Sequence, residues 1–157
     1  MNVLIIYYSL TGNTEKVANA IEVATNATKV KLHETSSRSG LVGIFRMVYQ
    51  AIFSRPSKIN YIETDITQYD LLILGGPVWI AKLAPALRSY ILKERKNFKE
   101  VAFFCTESSS GGANVFKCME NLCGKHPIAT LEVTESEIKT GRHNNKINVF
   151  VESLKSH

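Results

Sequence analysis

Three continuous apolar runs constrain the fold of this chain more than any other feature. They cover residues 3–8, 71–74 and 101–105, and each is followed by a loop and then by a segment with helical periodicity. A strand that is apolar on both faces is typical of the interior of a parallel sheet, because helices cover such a sheet on both sides. The repeated order of strand, loop and helix therefore predicts an α/β protein.

Two further segments, 28–32 and 128–134, alternate between apolar and polar residues, as strands at the edges of a sheet do. Together with the three apolar runs they give five strands, which we expect to form a doubly wound parallel sheet of order 2-1-3-4-5. A chain of 157 residues is long enough for one domain, and we expect residues 1–157 to form a single one.

In this strand order the chain changes direction between the first and third strands, and ligands bind outside the carboxyl ends of the strands at such a point. The loops that follow the first, third and fourth strands cover residues 9–14, 75–79 and 106–112. All three loops contain glycine, and the first and third are rich in hydroxyl side chains. The glycines and proline of the second are expected to end its strand at residue 74. The sequence predicts that they form one ligand site.

The first loop has the composition of a phosphate site. Backbone N–H groups and the positive end of a helix dipole are available at its junction with the following helix, and Ser9, Thr11 and Thr14 add hydroxyl donors. Residues 9–14 include no lysine or arginine, so neutral donors would bind the anion. The alternative is that Asn13 or Thr14 only caps the helix.

Other nucleotide-binding classes need residues that this chain lacks. The first loop has neither the G-x-G-x-x-G pattern nor a G-K-[ST] ending, which excludes dinucleotide-type and P-loop sites. Carboxylates at the ends of the first and third strands, as a phosphoacceptor domain needs, are absent. Cys105 ends the fourth strand, so it is not a nucleophile over the first loop. A phosphate at residues 9–14 and a flat ring stacked on Trp79 fit FMN.

At this point the motifs resemble those of the flavodoxin family over nearly the whole chain. They are S-x-T-G-N-T followed by E-K-V-A, then G-P-V-W, and then C-T-x-x-x-S-G-G. The resemblance implies a flavodoxin-like fold, an FMN cofactor and electron transfer between redox partner proteins, a reductase and an acceptor. The residues that it assigns to FMN are Ser9, Thr11, Gly12, Asn13 and Thr14 at the phosphate, Pro77, Val78 and Trp79 at the isoalloxazine, and Thr106, Glu107, Ser110, Gly111 and Gly112 at the ring edge and ribityl chain. Glu107 and the serines have a simpler alternative as solvated loop.

Two positions depart from the family pattern. Electron-transfer flavodoxins usually place glycine after the stacking aromatic residue, so that a peptide can flip toward the reduced flavin, whereas here Ile80 follows Trp79. A β-branched residue resists positive φ, which predicts a less stabilised semiquinone. Lys82 beside the ring would favour an anionic reduced flavin, and its alternative is a solvated surface residue. These departures support the alternative of an NAD(P)H-dependent FMN or quinone oxidoreductase.

The formal net charge of +5 and the pI of about 9.1 suit an acidic partner without defining it. Residues 38–58 are rich in arginine and lysine, and 41–53 has helical periodicity. A crossover helix is the favoured interpretation, and the weaker one is contact with an anionic surface, by which a flavin-free interaction module would act. We expect no nucleic-acid partner, no metal site and no transmembrane segment. An odd number of cysteines and no leader-like N-terminus indicate a cytoplasmic location.

Overall fold

A mostly parallel sheet lies at the centre of the computed structural model, which describes residues 1–34, 58–61 and 63–156. Within these residues the strands are β1 (Val3–Tyr8), β2 (Thr28–Glu34), β3 (Ile59–Asn60), β4 (Leu71–Trp79), β5 (Lys82–Leu83), β6 (Glu100–Glu107) and β7 (Thr130–Thr134). The helices are α1 (Asn13–Thr25), α2 (Pro85–Glu94), α3 (Gly112–Cys123), α4 (Glu135–Thr140) and α5 (His143–Lys155), with short 3₁₀ turns at Ile66–Gln68 and Arg95–Asn97.

The order of the five main strands confirms the predicted doubly wound topology. They follow one another as β2-β1-β4-β6-β7, which is order 2-1-3-4-5 for the five predicted strands, and all four pairings are parallel. The sheet is wider than predicted, because the two-residue strand β3 pairs antiparallel with β2 and β5 pairs antiparallel with β4. The second predicted strand is therefore not the outermost one.

The third predicted strand is longer than the sequence indicated. We expected the glycines and proline of 75–79 to force a loop, but β4 continues to Trp79. A side chain at Gly75 would overlap the ring of Phe104 on the neighbouring strand, so glycine is needed here for close packing rather than for a turn. Pairing with β1 ends at Gly75, and Pro77 lies beyond it, opposite Thr106 of β6, where an open strand edge tolerates proline.

Apolar side chains cover both faces of the central strands, as the continuous apolar runs predicted. On one face Leu4, Leu72 and Phe103 pack with residues of α2 and α3, and on the other Ile5 and Phe104 pack with residues of α1 and α5. Full burial of an aliphatic or aromatic side chain contributes about 1.5–3 kcal/mol. This two-sided core fixes β1, β4 and β6 as the rigid support for the loops at their carboxyl ends.

The predicted helices at both ends of the chain are present, with one addition. Gly124, with φ of 67°, ends α3 as the predicted C-terminal cap. The predicted final helix is α5, and the additional helix α4 begins with a reciprocal capping box between Thr134 and Glu137. In the parts of the chain that the structure describes, no helix has both the length and the apolar character needed to cross a membrane. The predicted helix at 41–53 lies outside the described residues.

Candidate functional site

The first and third predicted loops meet at the carboxyl ends of the strands. The hydroxyl oxygens of Thr14, at the start of α1, and Thr106, near the end of β6, are 2.7 Å apart and form a hydrogen bond. The two residues are only 2% and 4% exposed. Parallel strands bring their carboxyl ends to one edge of the sheet, so this contact follows from the topology that the apolar runs predicted.

The first loop enters α1 through a left-handed glycine. Gly12 has φ of 93°, and it occupies the N-cap position instead of Asn13 or Thr14, so the prediction that one of these caps the helix was wrong. A Cβ atom at this position would meet nothing within 4 Å, so there is room for a side chain. Glycine is favoured here because of the positive φ. The hydroxyl of Ser9 accepts a hydrogen bond from the N–H of Glu15 over 3.2 Å, which replaces a cap side chain.

Part of the loop at the start of α1 is accessible to solvent. Thr11 is exposed, Gly12 and Asn13 are half-buried, and Ser9 and Thr14 are buried. The open space at Gly12, the exposed hydroxyl of Thr11 and the N–H groups of a helix start together fit a phosphate group. Among the predicted phosphate residues, the hydroxyl of Thr14 forms a hydrogen bond with that of Thr106.

An acidic residue directly after the phosphate loop is held against the sheet. Glu15 accepts a hydrogen bond from the hydroxyl of Tyr7 and forms an ion pair with Lys31, both at 2.9 Å. The hydrogen bond from Lys31, followed by that from Tyr7, lowers the pKa of the Glu15 carboxyl. These two contacts fix both carboxylate oxygens of Glu15 on the side of β1 and β2.

In place of the second predicted loop, β4 continues to Trp79 and turns into β5 through a tight hairpin. Trp79 pairs with Lys82 across a two-residue turn, and both turn residues have positive φ, 50° at Ile80 and 56° at Ala81. This is the type I′ geometry that normally selects Asn-Gly. Ile80 adopts the positive φ that a β-branched residue resists, because the hairpin pairing imposes it. Each such residue stores on the order of 1 kcal/mol of strain.

The aromatic residue predicted to stack on the ligand lies beside the first loop. Trp79 is half-buried, and its ring makes an edge-to-face contact with Tyr8, with centroids 5.6 Å apart and planes at 89°. Tyr8 directly precedes Ser9, so the Trp79 ring is fixed near the first loop. Pro77 and Val78 are also half-buried, whereas Ile80 at the tip of the hairpin is 64% exposed.

The third loop contacts this hairpin through a glycine. Gly111 has φ of 122°, and a Cβ atom there would lie 2.9 Å from the Cα of Ala81 and 3.0 Å from a methyl of Val78. Both the φ and the close approach require glycine. Ser110 is exposed, while Gly111 is half-buried and Gly112 is buried at the first turn of α3. The structure thus brings the three predicted segments together at one edge of the sheet.

Glu107 lies in the interior rather than in a solvated loop. It is 3% exposed, and one carboxylate oxygen accepts a hydrogen bond from the N–H of Gly112 over 2.9 Å. The carboxyl of Glu132 on β7 lies against the same glycine, because a Cβ atom on Gly112 would overlap it, and a hydrogen bond with Glu107 raises the pKa of Glu132. Glu132 occupies a polar position in an alternating strand, and nothing in that pattern indicates a partner on β6. The sequence likewise does not indicate that Tyr8 contacts Trp79 or that Lys31 pairs with Glu15, because each contact joins two elements that are separate in the chain.

The fold and the loops define a doubly wound α/β protein with three converging segments at its switch point. A family model described as flavodoxin matches residues 2–154. The chain belongs to the flavodoxin family. This confirms the resemblance drawn from the three loop motifs, whereas no curated protein sequence matches the chain.

Solved structures of flavoproteins share the fold at low sequence identity. A flavoprotein from Lactobacillus acidophilus, solved in complex with FMN, has a TM-score of 0.74 and 21% identity, over 88% of this chain and 97% of the other. Two-electron reduced flavodoxin from Megasphaera elsdenii gives 0.63 and 19%, over 96% and 98%. Oxidised flavodoxin 2 from Bacillus cereus gives 0.60 and 18%, over 99% of both chains. The family match and the neighbour with FMN support the prediction of FMN as the cofactor.

Proposed function

We propose that this protein binds FMN and transfers electrons between a reductase and an acceptor protein. The observation that carries the proposal is the convergence of the three loops. The buried hydrogen bond between Thr14 and Thr106 joins the first loop to the third, and Gly111 of the third lies against the hairpin. A phosphate site at α1 and an aromatic site at Trp79 thereby lie on one edge of the sheet. Family membership and the Lactobacillus acidophilus structure with FMN support the same conclusion.

In this proposal the chain supplies binding and orientation, and bound FMN supplies the capacity to accept and release electrons. The helix start at Asn13 and the hydroxyls of the first loop hold the phosphate through neutral donors. Trp79 packs against the ring, and the hairpin and the third loop shield it from water. The proposed assignments are those of the predicted set, except that Glu107 supports the third loop through the N–H of Gly112 instead of contacting the ligand.

The direct test is titration of the purified protein with FMN, followed by flavin absorbance and fluorescence. We expect saturable binding of one FMN per chain. A protein that neither carries flavin nor binds added FMN contradicts the proposal.

A carboxylate placed in the phosphate site tests the position of the ligand. Asn13→Glu puts a negative charge at the first helical residue. This charge interacts favourably with the helix dipole, so we expect the fold to stay intact, but it repels the phosphate. We expect at least a tenfold rise in the Kd for FMN. Asn19→Glu is the matched control, because it makes the same change on an exposed position of α1. Equal FMN affinities of the two variants would place the phosphate elsewhere.

An NAD(P)H-dependent FMN or quinone oxidoreductase is the second candidate. It rests on Ile80, which stands where electron-transfer flavodoxins usually have glycine and has a strained positive φ, and on Lys82, which pairs with Trp79 across the turn. Oxidation of NADPH by the FMN-loaded protein without a separate reductase would favour this candidate over the electron carrier. A cytoplasmic location and the absence of nucleic-acid partners are part of the proposal, and contact of residues 38–58 with an anionic surface stays a prediction.

A further inference from the structure

Two carboxyl groups from neighbouring strands converge beneath the start of α3. Glu132 of β7 lies opposite Cys105 of β6, and both side chains point toward the same face of the sheet as Glu107. A Cβ atom on Gly112 would overlap the carboxylate of Glu132 and lie 3.0 Å from the sulfur of Cys105. Because residue 112 is glycine, there is space beside it for the carboxyl group of Glu132.

The two carboxyl groups lie against the same glycine: one oxygen of Glu107 accepts from the N–H of Gly112, and a Cβ atom on Gly112 would overlap the carboxyl of Glu132. Two ionised carboxylates this close repel each other, whereas a proton on one of them supplies a donor to the other, and a hydrogen bond with Glu107 raises the pKa of Glu132. The other can remain ionised, and the N–H of Gly112 at the positive end of the α3 dipole stabilises it. The arrangement is that of two acids sharing one proton.

We infer that Glu107 and Glu132 are positioning residues that share one proton, and that this proton holds the third loop in the shape that binds FMN. The inference rests on the proposed function for its ligand. Gly112 is bonded to the pair on one side, while the adjacent Gly111 lies against Val78 and Ala81 of the hairpin on the other. Loss of the proton puts a second negative charge beneath the loop, and repulsion then displaces the helix start from the hairpin.

The charged groups around the pair favour retention of the proton. The hydrogen bond with Glu107 comes first among the causes that raise the pKa of Glu132, followed by burial and the negative charges of Glu107 and Glu137. Lys146 of α5 opposes them, but its ammonium is committed to Glu137 at 2.8 Å and to the backbone carbonyl of Glu132 at 3.0 Å. Burial first, and then the two carboxylates, raise the pKa of Cys105, so its thiol remains neutral beside them.

The direction of the pH dependence follows from this raised pKa. A group whose pKa is higher in the folded protein stabilises the fold at low pH, and its contribution is lost as the pH rises through the folded value. We therefore expect the FMN-binding form of the third loop to weaken above the ordinary range of a glutamate carboxyl.

Glu132→Gln tests the inference, because the amide supplies a permanent N–H donor to Glu107 and cannot ionise. The measurement is the Kd for FMN between pH 5 and pH 9, expressed as the ratio of wild type to variant. The second ionisation of the FMN phosphate near pH 6 changes the Kd of both proteins by the same factor, so its effect cancels in the ratio. We expect a ratio near one at pH 5 that rises about tenfold by pH 9, which corresponds to a difference of about one pKa unit between free and FMN-bound protein. Glu100→Gln, at the exposed start of β6, is the matched control and should follow wild type throughout.

A second measurement separates this inference from the proposed function. In the flavin-free protein, the NMR signal of the Gly112 amide should shift with pH in wild type and stay constant in Glu132→Gln. If wild type binds no FMN, the proposed function fails and the amide titration still decides whether the pair shares a proton. If FMN binds but the ratio of Kd values is flat and the Gly112 amide does not titrate, the inference is overturned. Should the variant fail to fold, the wild-type amide titration decides.

Discussion

The hydroxyl groups of Thr14 and Thr106 form a buried hydrogen bond 2.7 Å long between residues 92 positions apart in the chain. One hydroxyl donates to the other, so a single hydrogen remains for a further acceptor. This bond joins the helix that begins at the phosphate loop to the strand that leads into the third loop. The two ends of the proposed FMN site are thereby fixed relative to each other before a ligand binds.

Removal of one hydroxyl from this pair should destabilise the protein. Thr106→Val keeps the shape of the side chain but leaves the buried oxygen of Thr14 without its partner, which we expect to cost about 1–3 kcal/mol of unfolding free energy. The double variant Thr14→Val/Thr106→Val has no unpaired hydroxyl, so its loss should be smaller than the sum of the two single losses. Urea unfolding of the flavin-free proteins measures both. Additive losses would show that the hydroxyls are not coupled.

Gly111 should be far less tolerant of a side chain than Gly124. Both have positive φ, but a Cβ atom at Gly111 meets Ala81 and Val78, whereas one at Gly124 meets nothing within 4 Å. We expect Gly124→Ala to lose about 1 kcal/mol from backbone strain alone, and Gly111→Ala to lose more and to bind FMN more weakly. Thermal unfolding and FMN titration check this, and equal effects at the two glycines would mean that the third loop does not depend on the hairpin contact.

The sheet was predictable because its information is local and repeated. Each central strand carries its own continuous apolar run, and the order of β2-β1-β4-β6-β7 then follows from the edge character of two alternating segments and from the handedness of the connections. At Gly75 the neighbouring residues in the sequence do not predict the local structure. Glycine next to glycine and proline is an ordinary turn signal, and only the position of the Phe104 ring on the neighbouring strand explains why it continues a strand.

The candidate site was predictable as a set of loops but not as a set of contacts. Hydroxyls and glycines after three strands indicated where a ligand would lie, and the resemblance supplied its class. The carboxyl pair was not visible, because Glu107 and Glu132 are brought together by the register between β6 and β7. In the same way, the positive φ of Ile80 opposes its intrinsic preference and is imposed by the pairing of Trp79 with Lys82.

The hairpin turn should be stabilised by residues that accept positive φ. Replacement of Ile80 and Ala81 by Asn and Gly introduces the preferred type I′ sequence and should raise the unfolding free energy by about 1–2 kcal/mol. Ala20→Gly, in the interior of α1, is the control, and it should instead lose about 1 kcal/mol because glycine is unfavourable in a helix. Urea unfolding measures both changes. A loss of stability in the Asn-Gly variant would show that Ile80 contributes more by packing than it costs in strain.

Glu137 should contribute to stability only above the acid range. It closes the capping box of α4 and pairs with Lys146 at 2.8 Å, and the hydrogen bond from Lys146 followed by that from the Thr134 backbone lowers its pKa to about 2. Because the folded pKa lies below the ordinary value of 4.5, the stabilisation is present above pH 4.5 and is lost as the pH falls toward 2. Glu137→Gln should therefore unfold about 0.5–1 kcal/mol more easily than wild type at pH 7, and equally easily near pH 2. Glu152→Gln, on the exposed side of α5, should match wild type at both values. Urea unfolding at the two pH values makes the comparison, and a constant difference between wild type and Glu137→Gln would mean that the carboxylate charge plays no part.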